Sequence, residues 1–427
     1  MTKSDAHDGA RRHVVLVDTY ASIGTELAQG FRSAGYTPLR VQSSPEVPVA
    51  LRGQPDRYPY DVNIVHHGDL TATLEALSCF HPVAVLAGTE PGVELADALS
   101  EALHPITGAP TNGTALSRAR RDKYLMIERV KQQGLRGARQ ILVDDEDQLR
   151  NWHNDIGGMV VLKPLRSAGN DGVTWCRSPE DAVQAFRQLN GRRNVLSQCN
   201  DGVVAQECLV GTEYIVNTVS RDGTHHVCDI WETYRINANA IPDLLVAWRL
   251  LPATGEVQDE LVAYTFAVLD ALGIRHGAAH AEIKMTSDGP CLVEVGARIG
   301  GGTLPEGARL ATGRSQVEWT VDAYARPEEF AQHSGRPYRL RQHVAGAAMV
   351  APRSGTLTSY QSLEAIKELD SFHDMRVRVS PGEHLPLTTN DLTYPIFVRL
   401  VHEVGEVVAR DLWTLRYIDG MSFYELA

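Results

Sequence analysis

Cysteine is scarce in this sequence of 427 residues, and its six cysteines form no C-x-x-C pair. Such scattered positions argue against a disulfide framework and a thiolate zinc site, and they fit the reduced thiols of a cytoplasmic protein. Long apolar runs are missing as well. The run Val14 to Val17, which follows a polar N-terminus, is far shorter than the ~18 residues that a membrane span needs. We expect neither an export signal nor a membrane anchor, and a cytoplasmic location.

An excess of basic residues is also absent, because 41 Lys and Arg oppose 53 Asp and Glu and give a net charge of −12. Proteins that bind nucleic acid usually have the opposite balance, so we expect no nucleic-acid partner. The sequence lacks the G-x-x-x-x-G-K-[ST] motif, and its first strand and helix lack G-x-G-x-x-G. Both absences argue against the common P-loop and dinucleotide-binding folds, including that of a dehydrogenase.

The composition itself is that of a soluble globular chain, with 43% hydrophobic and 22% charged residues. The length predicts about two to four domains. A buried-strand run starts at Val14, turn residues follow over 19–24, and helical spacing continues over 25–35. A second unit has a strand over 83–88, a loop and a helix from Val93. An α/β domain with parallel strands is therefore predicted at the start of the chain.

The rest of the chain has a mixed α+β texture. A charged amphipathic helix is predicted over 117–134, followed by short β-branched strands that Gly, Asp and Asn separate. Two strands, AAHAEIKMT and CLVEVGA, flank the Asp-Gly of residues 287–290, which predicts a hairpin. More short strands follow residue 335. The fold class predicted is a multidomain combination of α/β and α+β parts.

A candidate phosphate site lies in KPLRSAGNDGV, residues 163–173. Lys163 supplies a positive charge at a strand end, and Gly169 and Gly172 allow backbone N–H groups to approach phosphate oxygens. A strand end followed by a glycine turn is also ordinary hairpin structure, and the pattern alone does not separate the two.

Glu282 and Glu294 fall on the two strands of the predicted hairpin. Alternation places Glu282 on the same face as His280. If the register aligns the two carboxylates, they converge as Mg²⁺ requires, and Arg298 lies close enough in sequence to neutralise a transferred phosphoryl group. An exposed cross-strand charge pattern is the alternative, but the three glycines of 300–302 favour close approach of a ligand.

A third candidate is QECLVGTE, residues 206–213. The main chain of Glu207 to Leu209 can receive an adenine edge, and Glu213 can bind ribose hydroxyls. A solvated surface turn is the simpler explanation of this segment taken alone.

Taken in order, these segments resemble the ATP-grasp superfamily of carboxylate–amine ligases. The matching segments are RRDKYLM (120–126), LKPLRSAGNDGV (162–173), AQECLVGTEY (205–214) and AEIKMTSDGPCLVEVGARIGGG (281–302). The region from about Gly346 is similar to the small C-terminal domain of L-amino acid ligases that make dipeptides. The resemblance implies an ATP-grasp fold with an N-terminal parallel α/β domain (1–115), a central lid domain (116–202), a C-terminal ATP-grasp domain with the metal site (203–335) and a small β-rich subdomain (336–427).

The resemblance also implies a role for each matching residue. The implied roles are phosphate contact by Lys123 and Lys163, loop closure by Ser167, Gly169, Asn170 and Gly172, adenine contact by Gln206, Glu207 and Leu209, ribose contact by Glu213, metal binding by Glu282 and Glu294, and stabilisation of the acyl phosphate by Arg298. Where the family often has asparagine two residues after the second glutamate, this chain has Gly296, which leaves the number of metal ions open.

The activity so implied is an ATP- and Mg²⁺-dependent ligation, with Mn²⁺ as an alternative metal. A substrate carboxylate attacks ATP to give an acyl phosphate and ADP, and an amine, expected to be a second amino acid, then displaces phosphate. A homodimer is expected, as two-fold symmetry is common. Two alternatives stay open: a ligase for a γ-glutamyl or other non-α carboxylate, and a non-catalytic nucleotide-binding protein that Gly296 would favour.

Weaker candidates complete the set. His280 titrates near working pH and is a candidate base for the amine, although a lone histidine on a strand is more often structural. Candidates for substrate contact are Thr89 and Glu90, which follow a strand, Trp231, Glu232 and Tyr234 in an aromatic-rich strand, and Gly301.

Overall fold

The computed structural model describes residues 12–53, 56–420 and 422–427, so most of the polar N-terminal segment of the sequence lies outside the described residues. The strands are β1 (Arg12–Val17), β2 (Tyr36–Gln42), β3 (Asn63–Val65), β4 (Ala84–Ala87), β5 (Gln140–Leu142), β6 (Val160–Pro164), β7 (Thr174–Cys176), β8 (Val203–Glu207), β9 (Thr212–Arg221), β10 (Thr224–Ala238), β11 (Ile241–Leu250), β12 (Gly277–Thr286), β13 (Gly289–Gly296), β14 (His343–Met349), β15 (Gly355–Tyr360), β16 (Phe372–Val377), β17 (His384–Leu385), β18 (Ile396–His402) and β19 (Tyr424–Leu426). The helices are α1 (Ala21–Ser33), α2 (Leu70–Ser78), α3 (Val93–Thr107), α4 (Lys123–Gln132), α5 (Glu146–Ile156), α6 (Pro179–Leu189), α7 (Glu256–Ala271), α8 (Leu304–Thr312), α9 (Gln316–Ala325), α10 (Pro327–His333), α11 (Leu363–Lys367) and α12 (Gly405–Ile418).

The opening strands form a parallel sheet in the order β3-β2-β1-β4, which confirms the predicted α/β start. All four residues of the run 14–17 are buried, as expected for a strand covered on both faces. The turn predicted over 19–24 is wrong, because α1 already begins at Ala21. Ile23, Leu27 and Phe31 recur every four residues on its buried face, and their burial favours helix there.

A smaller sheet, in the order β5-β8-β6-β7, carries α5 and α6 on one side. Its strand β8 lies just beyond the predicted boundary at residue 202, so this boundary divides one sheet. Antiparallel pairing with β6 and β5 places β8 with the preceding segment.

The largest sheet has eight strands in the order β13-β12-β9-β10-β11-β14-β18-β16. It therefore continues from the segment 203–335 into the segment 336–427 through the β11–β14 pair. A further three-stranded sheet, β17-β15-β19, lies within the terminal segment. The division into four domains remains a proposal, with the addition that the last two share one sheet.

The helix predicted over 117–134 is divided in two. A short 3₁₀ turn covers Arg118–Arg120, and α4 then starts at Lys123 with Asp122 as its N-cap, which accepts hydrogen bonds from the amides of Tyr124 and Leu125 at 3.0 Å each. The cap fixes the helix start, and Lys123 consequently lies in the first turn.

One face of the large sheet packs on α4 and α7. Val216, Ala281, Ile283 and Val295 point into this apolar core together with Leu261 of α7. Since side chains alternate along a strand, the intervening polar residues point to the opposite face. Over the described residues, no helix combines the length and apolarity needed to cross a membrane.

Candidate active site

A cleft lies between the smaller sheet and the polar face of the large sheet. Its walls contain most of the residues that the sequence assigned to a nucleotide and metal site: Lys123, Lys163, Ser167, Gly169, Asn170, Gln206, Glu207, Leu209, Glu213, Glu282 and Glu294. Gly172 lies at the end of the same loop, where a Cβ would meet Leu189 and Pro164 at 2.9 Å.

The two glutamates of the hairpin are direct cross-strand partners in the register of β12 and β13. The alignment on which the predicted carboxylate pair depended is therefore present. Glu282 Oε1 lies 3.4 Å from His280 Nε2. Burial alone would raise the pKa of Glu282, but the hydrogen bond and charge of His280, with Arg235 and Arg298 nearby, lower it to about 2. A carboxylate in this position is ionised at neutral pH.

Two lysines face this carboxylate pair. Lys123 Nζ lies 2.8 Å from Glu294 Oε1 and donates to the carbonyl oxygen of Ser167 at 3.2 Å. Lys163 has no ion-pair partner among the described residues. Burial and the charge of Lys123 lower the pKa of Lys163. An anion bound between the lysines would relieve both effects, as phosphate does.

The loop over 167–172 is shaped for such an anion. Gly169, Asn170 and Gly172 have φ values of 65°, 60° and 75°, which lie in the left-handed region found in many anion-binding backbone turns. Ser167 Oγ donates to Asp171 Oδ2 at 2.9 Å, and this carboxylate also accepts from the amide of Val195 at 2.9 Å. The base of the loop is thereby held to its neighbours.

The far end of the cleft is where the sequence placed adenine. The amides of Glu207 and Cys208 already donate to the carbonyls of Arg139 and Met159, at 2.9 and 3.1 Å. The amide assigned to adenine at Glu207 is thus engaged in the sheet. The Glu207 side chain pairs with exposed Arg139 at 2.7 Å. Leu209 N–H has no hydrogen-bond partner among the described residues and is free to meet a ligand.

Four polar side chains to which the sequence assigned no role lie in the cleft or next to its glycine loop. Arg235 forms an ion pair with Glu213, and Lys284 pairs with Asp243 at 2.6 Å. Asp391 reaches the glycine loop from the terminal segment. Lys284 was detectable by alternation from Glu282, whereas Arg235, Asp243 and Asp391 lie on elements whose pairing the sequence does not specify. Burial raises the pKa of Glu213, against the effect of Arg235.

Arg298 lies beside the cleft in a second charged cluster. Its Nε donates to Glu90 Oε2 at 2.9 Å, and Arg121 Nη1 donates to Glu90 Oε1 at 2.5 Å. Burial would raise the pKa of Glu90, but the charges of both arginines lower it to about 2. A Cβ at Gly296 would lie 2.9 Å from Glu90 Oε2 and 3.2 Å from Arg298 Cζ. The ion pair of Glu90 and Arg298 thus fills the space that a side chain at residue 296 would need.

Four of the residues predicted to contact substrate do not line this cleft: Trp231, Glu232, Tyr234 and Gly301. Trp231 is fully buried in the core between the large sheet and α8, so its assignment to a pocket wall is corrected. Glu232 pairs with Arg249 at 2.9 Å, and with Tyr234 it lines a different cavity, of ≈ 680 Å³, next to α12. A Cβ at Gly301 would meet no protein atom within 4 Å.

Thr89 and His280 have structural partners. The Thr89 hydroxyl donates to the carbonyl oxygen of Asp18 at 2.7 Å, which anchors the loop that carries Glu90. His280 is only 8% exposed and is the cross-strand partner of Gly296, so it lies between the glutamate pair and the cluster of Arg298.

The carboxylate pair fits Mg²⁺. Within the described ranges, no group of three or more His, Cys, Asp and Glu side chains is arranged to hold a metal. Two carboxylates are nonetheless the usual protein share of a Mg²⁺ site whose remaining ligands are water and substrate phosphates. Glu282 and Glu294 would supply these oxygens.

Comparisons with known proteins agree with this geometry. A model described as the ATP-grasp domain matches residues 156–306. Dapdiamide A synthase of Enterobacter agglomerans is 32% identical over 419 residues, which cover 97% of each chain.

Two solved structures share the fold. An L-amino acid ligase from Bacillus licheniformis has a TM-score of 0.72 at 18% identity and covers 96% of this chain and 98% of its own. The biotin carboxylase domain dimer of 2-oxoglutarate carboxylase from Hydrogenobacter thermophilus, solved with MgADP, ADP and bicarbonate, has a TM-score of 0.63 at 13% identity and covers 97% and 90%. At such identities the likeness concerns the fold alone.

Proposed function

Since this chain belongs to the ATP-grasp carboxylate–amine ligases and is an ATP-dependent ligase that forms amide bonds between amino acids, we propose that it does so through an acyl phosphate formed in the cleft between its two sheets. The family predicted from the ordered motifs is thus confirmed. The observation that carries the assignment of the site is the cross-strand pair Glu282 and Glu294 opposite two lysines.

ATP would lie with its phosphates between the lysines, the glycine loop and the glutamate pair. Mg²⁺ bound by Glu282 and Glu294 would neutralise phosphate charge, and Mn²⁺, which accepts the same oxygen ligands, is an alternative. A nucleotide with magnesium is also present in the biotin carboxylase domain that shares the fold. Lys163 is the side chain best suited to the phosphates because no carboxylate among the described residues forms an ion pair with it.

Adenine would lie at the other end of the cleft. We assign its main-chain contact to Leu209 N–H and retain Gln206 as a polar neighbour, since Gln206 is buried and bonded to Gln140 at 2.8 Å. Glu213, which forms an ion pair with Arg235, would accept hydrogen bonds from the ribose hydroxyls.

The acid substrate would bind beside Arg298. Its carboxylate needs a positive charge close to the γ-phosphate, and Arg298 together with Arg121 supplies two guanidinium groups around Glu90. The carboxylate of Glu90 would face the ammonium group of an amino acid. An α-amino acid offers both charges, which supports it as the acid that becomes activated.

The second step needs a neutral amine and a cleft without water, because an acyl phosphate hydrolyses readily. Closure of the loop over 167–172 would exclude water. We assign proton acceptance from the amine to His280, which lies between the metal pair and Arg298.

We further propose a cytoplasmic homodimer. The cysteines are all free thiols, as in proteins of a reducing compartment. The biotin carboxylase domain from Hydrogenobacter thermophilus, which shares the fold, was solved as a dimer. Sedimentation velocity of the full chain tests the oligomeric state, and a single monomeric species at micromolar concentration would contradict the proposal.

The deciding experiment supplies ATP and Mg²⁺ with a matrix of paired amino acids, measures ADP and phosphate, and identifies products by mass. One pair should give an amide together with ADP, and both should be lost in Glu294→Gln and Arg298→Ala. AMP in place of ADP would contradict the acyl phosphate. A product linked through a side-chain carboxylate would show that a non-α acid is activated.

A further inference from the structure

The smaller sheet, which carries the glycine loop, also contacts the opening domain, which holds the parallel sheet. The amide of Val49 donates to Ser197 Oγ at 3.2 Å, and the amide of Ala50 donates to the carbonyl oxygen of Val195 at 3.1 Å. Val49 and Ala50 belong to a 3₁₀ turn in the connection between β2 and β3. Val195 and Ser197 belong to the connection between α6 and β8. Two loops from different parts of the chain therefore meet here.

The second of these loops is tied to both ends of the glycine loop. Asn194 Nδ2 donates to the carbonyl oxygen of Arg166 at 2.6 Å, directly before the glycine loop. The amide of Val195 donates to Asp171 Oδ2 at 2.9 Å, and Ser167 Oγ donates to the same oxygen at 2.9 Å. Val195, which accepts from the opening domain, therefore also holds the base of the glycine loop.

A local network gives the segment 194–198 a fixed shape. Asn194 is 9% exposed, and its Oδ1 accepts from the amides of Leu196 and Gln198 at 3.0 and 3.2 Å. The amide of Ser197 donates to the carbonyl oxygen of Asn194 at 2.9 Å. Because the segment is bonded to itself and to the glycine loop, the two move together.

Ser197 has a left-handed backbone conformation, with a φ of 62°. Glycine adopts this conformation without steric cost, whereas a residue with a Cβ does not. Residues other than glycine are held in such conformations only where the surrounding structure requires them. The hydroxyl group that serine adds is the acceptor of the Val49 amide. The contact with the opening domain therefore gives a reason for serine at this position.

The contact is thin enough to separate. An open cavity of ≈ 740 Å³ lies beside it and is lined by residues of both loops, and Val49 is 56% exposed. Among the described residues, the other polar contact between 12–115 and 139–207 is the ion pair of Arg166 with Glu94 at 3.9 Å. A hydrogen bond near water contributes little net free energy, because water offers both groups other partners. The two bonds can therefore break while both sheets stay folded.

We infer that these two hydrogen bonds form a latch, which holds the smaller sheet and its glycine loop closed over the cleft and breaks when nucleotide enters or leaves. The inference deepens the proposed function, since it rests on the assignment of ATP to the cleft under this loop. Loss of the latch raises the fraction of time for which the cleft is open. Nucleotide then leaves faster, and water reaches the acyl phosphate.

The bond between Val49 and Ser197 can be removed from either side. Ser197→Ala removes the acceptor. Val49→Pro removes the donor, and the backbone accepts proline there because Val49 is the first residue of the 3₁₀ turn. Pro48 has a ψ of 142°, the extended conformation that the residue before a proline prefers. Val49→Ala keeps the N–H group and is the matched control.

Hydrogen–deuterium exchange of the full chain without nucleotide measures the latch itself. In Ser197→Ala and Val49→Pro, peptides over 163–173 and 191–200 should exchange about twofold to tenfold faster, the range that one exposed hydrogen bond allows. Val49→Ala should match wild type, and peptides from α3 should not change in any variant. The double variant should be no faster than either single variant, because both changes remove the same bond.

Stopped-flow release of the fluorescent nucleotide mant-ADP, bound with Mg²⁺, measures nucleotide exit. Ser197→Ala and Val49→Pro should raise the dissociation rate constant by the same factor as the exchange. The phosphate released per amide formed should rise with it, and Val49→Ala should leave both unchanged.

Unchanged exchange in Ser197→Ala and Val49→Pro, additive effects in the double variant, or an equal effect of Val49→Ala would overturn the latch. Faster exchange with unchanged mant-ADP release would overturn its part in nucleotide exit. Should Val49→Pro not fold, Ser197→Ala decides alone. If exchange responds as stated but mant-ADP does not bind to wild type, the hold on the glycine loop stands and the assignment of ATP to the cleft fails.

Discussion

At the scale of the residue, Glu90 is a buried carboxylate that pairs with two arginines. It is 6% exposed, and its two oxygens accept from arginines that follow it by 31 and 208 positions in sequence. A buried carboxylate is stable only when it is paired, and here a single acid neutralises two guanidinium groups. Glu90 therefore connects the opening domain to the strand end that carries Arg298.

Replacement of Glu90 by glutamine should destabilise the protein in a pH-dependent way. At neutral pH we expect the free energy of unfolding to fall by about 3–5 kcal/mol, because buried Arg121 and partly buried Arg298 lose their counter-charge. The pKa of Glu90 is lowered on folding from 4.5 to about 2, so its stabilisation is present above pH 4.5 and is lost as the pH falls toward 2.

Urea denaturation of wild type and Glu90→Gln over that pH range measures the effect. The gap between the two unfolding free energies should narrow as the pH falls. Glu75→Gln, on the exposed side of α2, is the control and should change stability by less than about 0.5 kcal/mol. A gap that stays constant with pH would contradict the assignment of the low pKa.

Lys163 is the residue whose loss should separate catalysis from stability. Lys163→Met keeps the length of the side chain and removes its charge. We expect kcat to fall at least about a hundredfold, because the ammonium group that would stabilise the negative charge of the transferred phosphoryl group is lost. Thermal stability without ATP should stay equal or rise, since burial and Lys123 already disfavour this charge.

Steady-state kinetics and thermal melts test both parts. Lys131→Met, which removes a half-buried lysine paired with Glu128 on the same helix as Lys123, should leave activity unchanged. Equal activity losses in the two variants would show that Lys163 has no special part in the reaction.

At the scale of the element, the glycine loop is held from two sides. Its base is bound through Asp171 to the amide of Val195, which lies in the connection between α6 and β8. Its tip contacts the terminal segment, where Asn170 Nδ2 donates to Asp391 Oδ1 at 3.3 Å. Burial raises the pKa of Asp391 against the effect of Arg235, and Arg378 donates to its carbonyl oxygen at 3.2 Å. The terminal segment thus helps to place the loop over the cleft.

Asp391→Ala should loosen this loop. We expect a several-fold higher KM for ATP and more phosphate released per amide formed, because a less closed loop admits water to the acyl phosphate. Asp391→Asn keeps an oxygen acceptor for Asn170 and should restore coupling. The ratio of phosphate to amide product measures this, and equal uncoupling in the two variants would assign the effect to the charge of Asp391 instead.

At the scale of the whole molecule, the eight-stranded sheet joins the proposed ligase site to the terminal segment. Strand β14 covers the edge of β11, and Val344, Ala348 and Tyr394 pack into the same core as Trp231 and Trp248. Without these residues, β11 would become an exposed edge beside an uncovered apolar core.

A chain ending at residue 335 should therefore not fold on its own. We expect aggregation or a broad thermal transition. This is expected even though the shortened chain keeps all of residues 156–306, which match the ATP-grasp domain. Soluble yield and circular dichroism melts compare this chain with the full one. A cooperative melt of the shortened chain would contradict the continuity of the sheet as a requirement for folding.

Much of the proposed nucleotide site could be predicted from the sequence because its determinants are local. Alternation and one Asp-Gly turn suffice to place Glu282 opposite Glu294, since a hairpin with a short turn has little freedom of register. The left-handed glycines of the loop and the strand end at Lys163 are equally local. The order of these motifs along the chain then indicates the family.

The sequence by itself determined the family, the hairpin that aligns Glu282 with Glu294, and the left-handed turn that follows the strand end at Lys163. Only the tertiary structure decided that Glu90 pairs with Arg298, that Trp231 is core and not pocket, that Asp391 reaches the loop, and that Gly296 leaves space for an ion pair. These contacts join segments far apart in the chain. Their geometry depends on how separate sheets and helices pack, and no local pattern of residues encodes that packing.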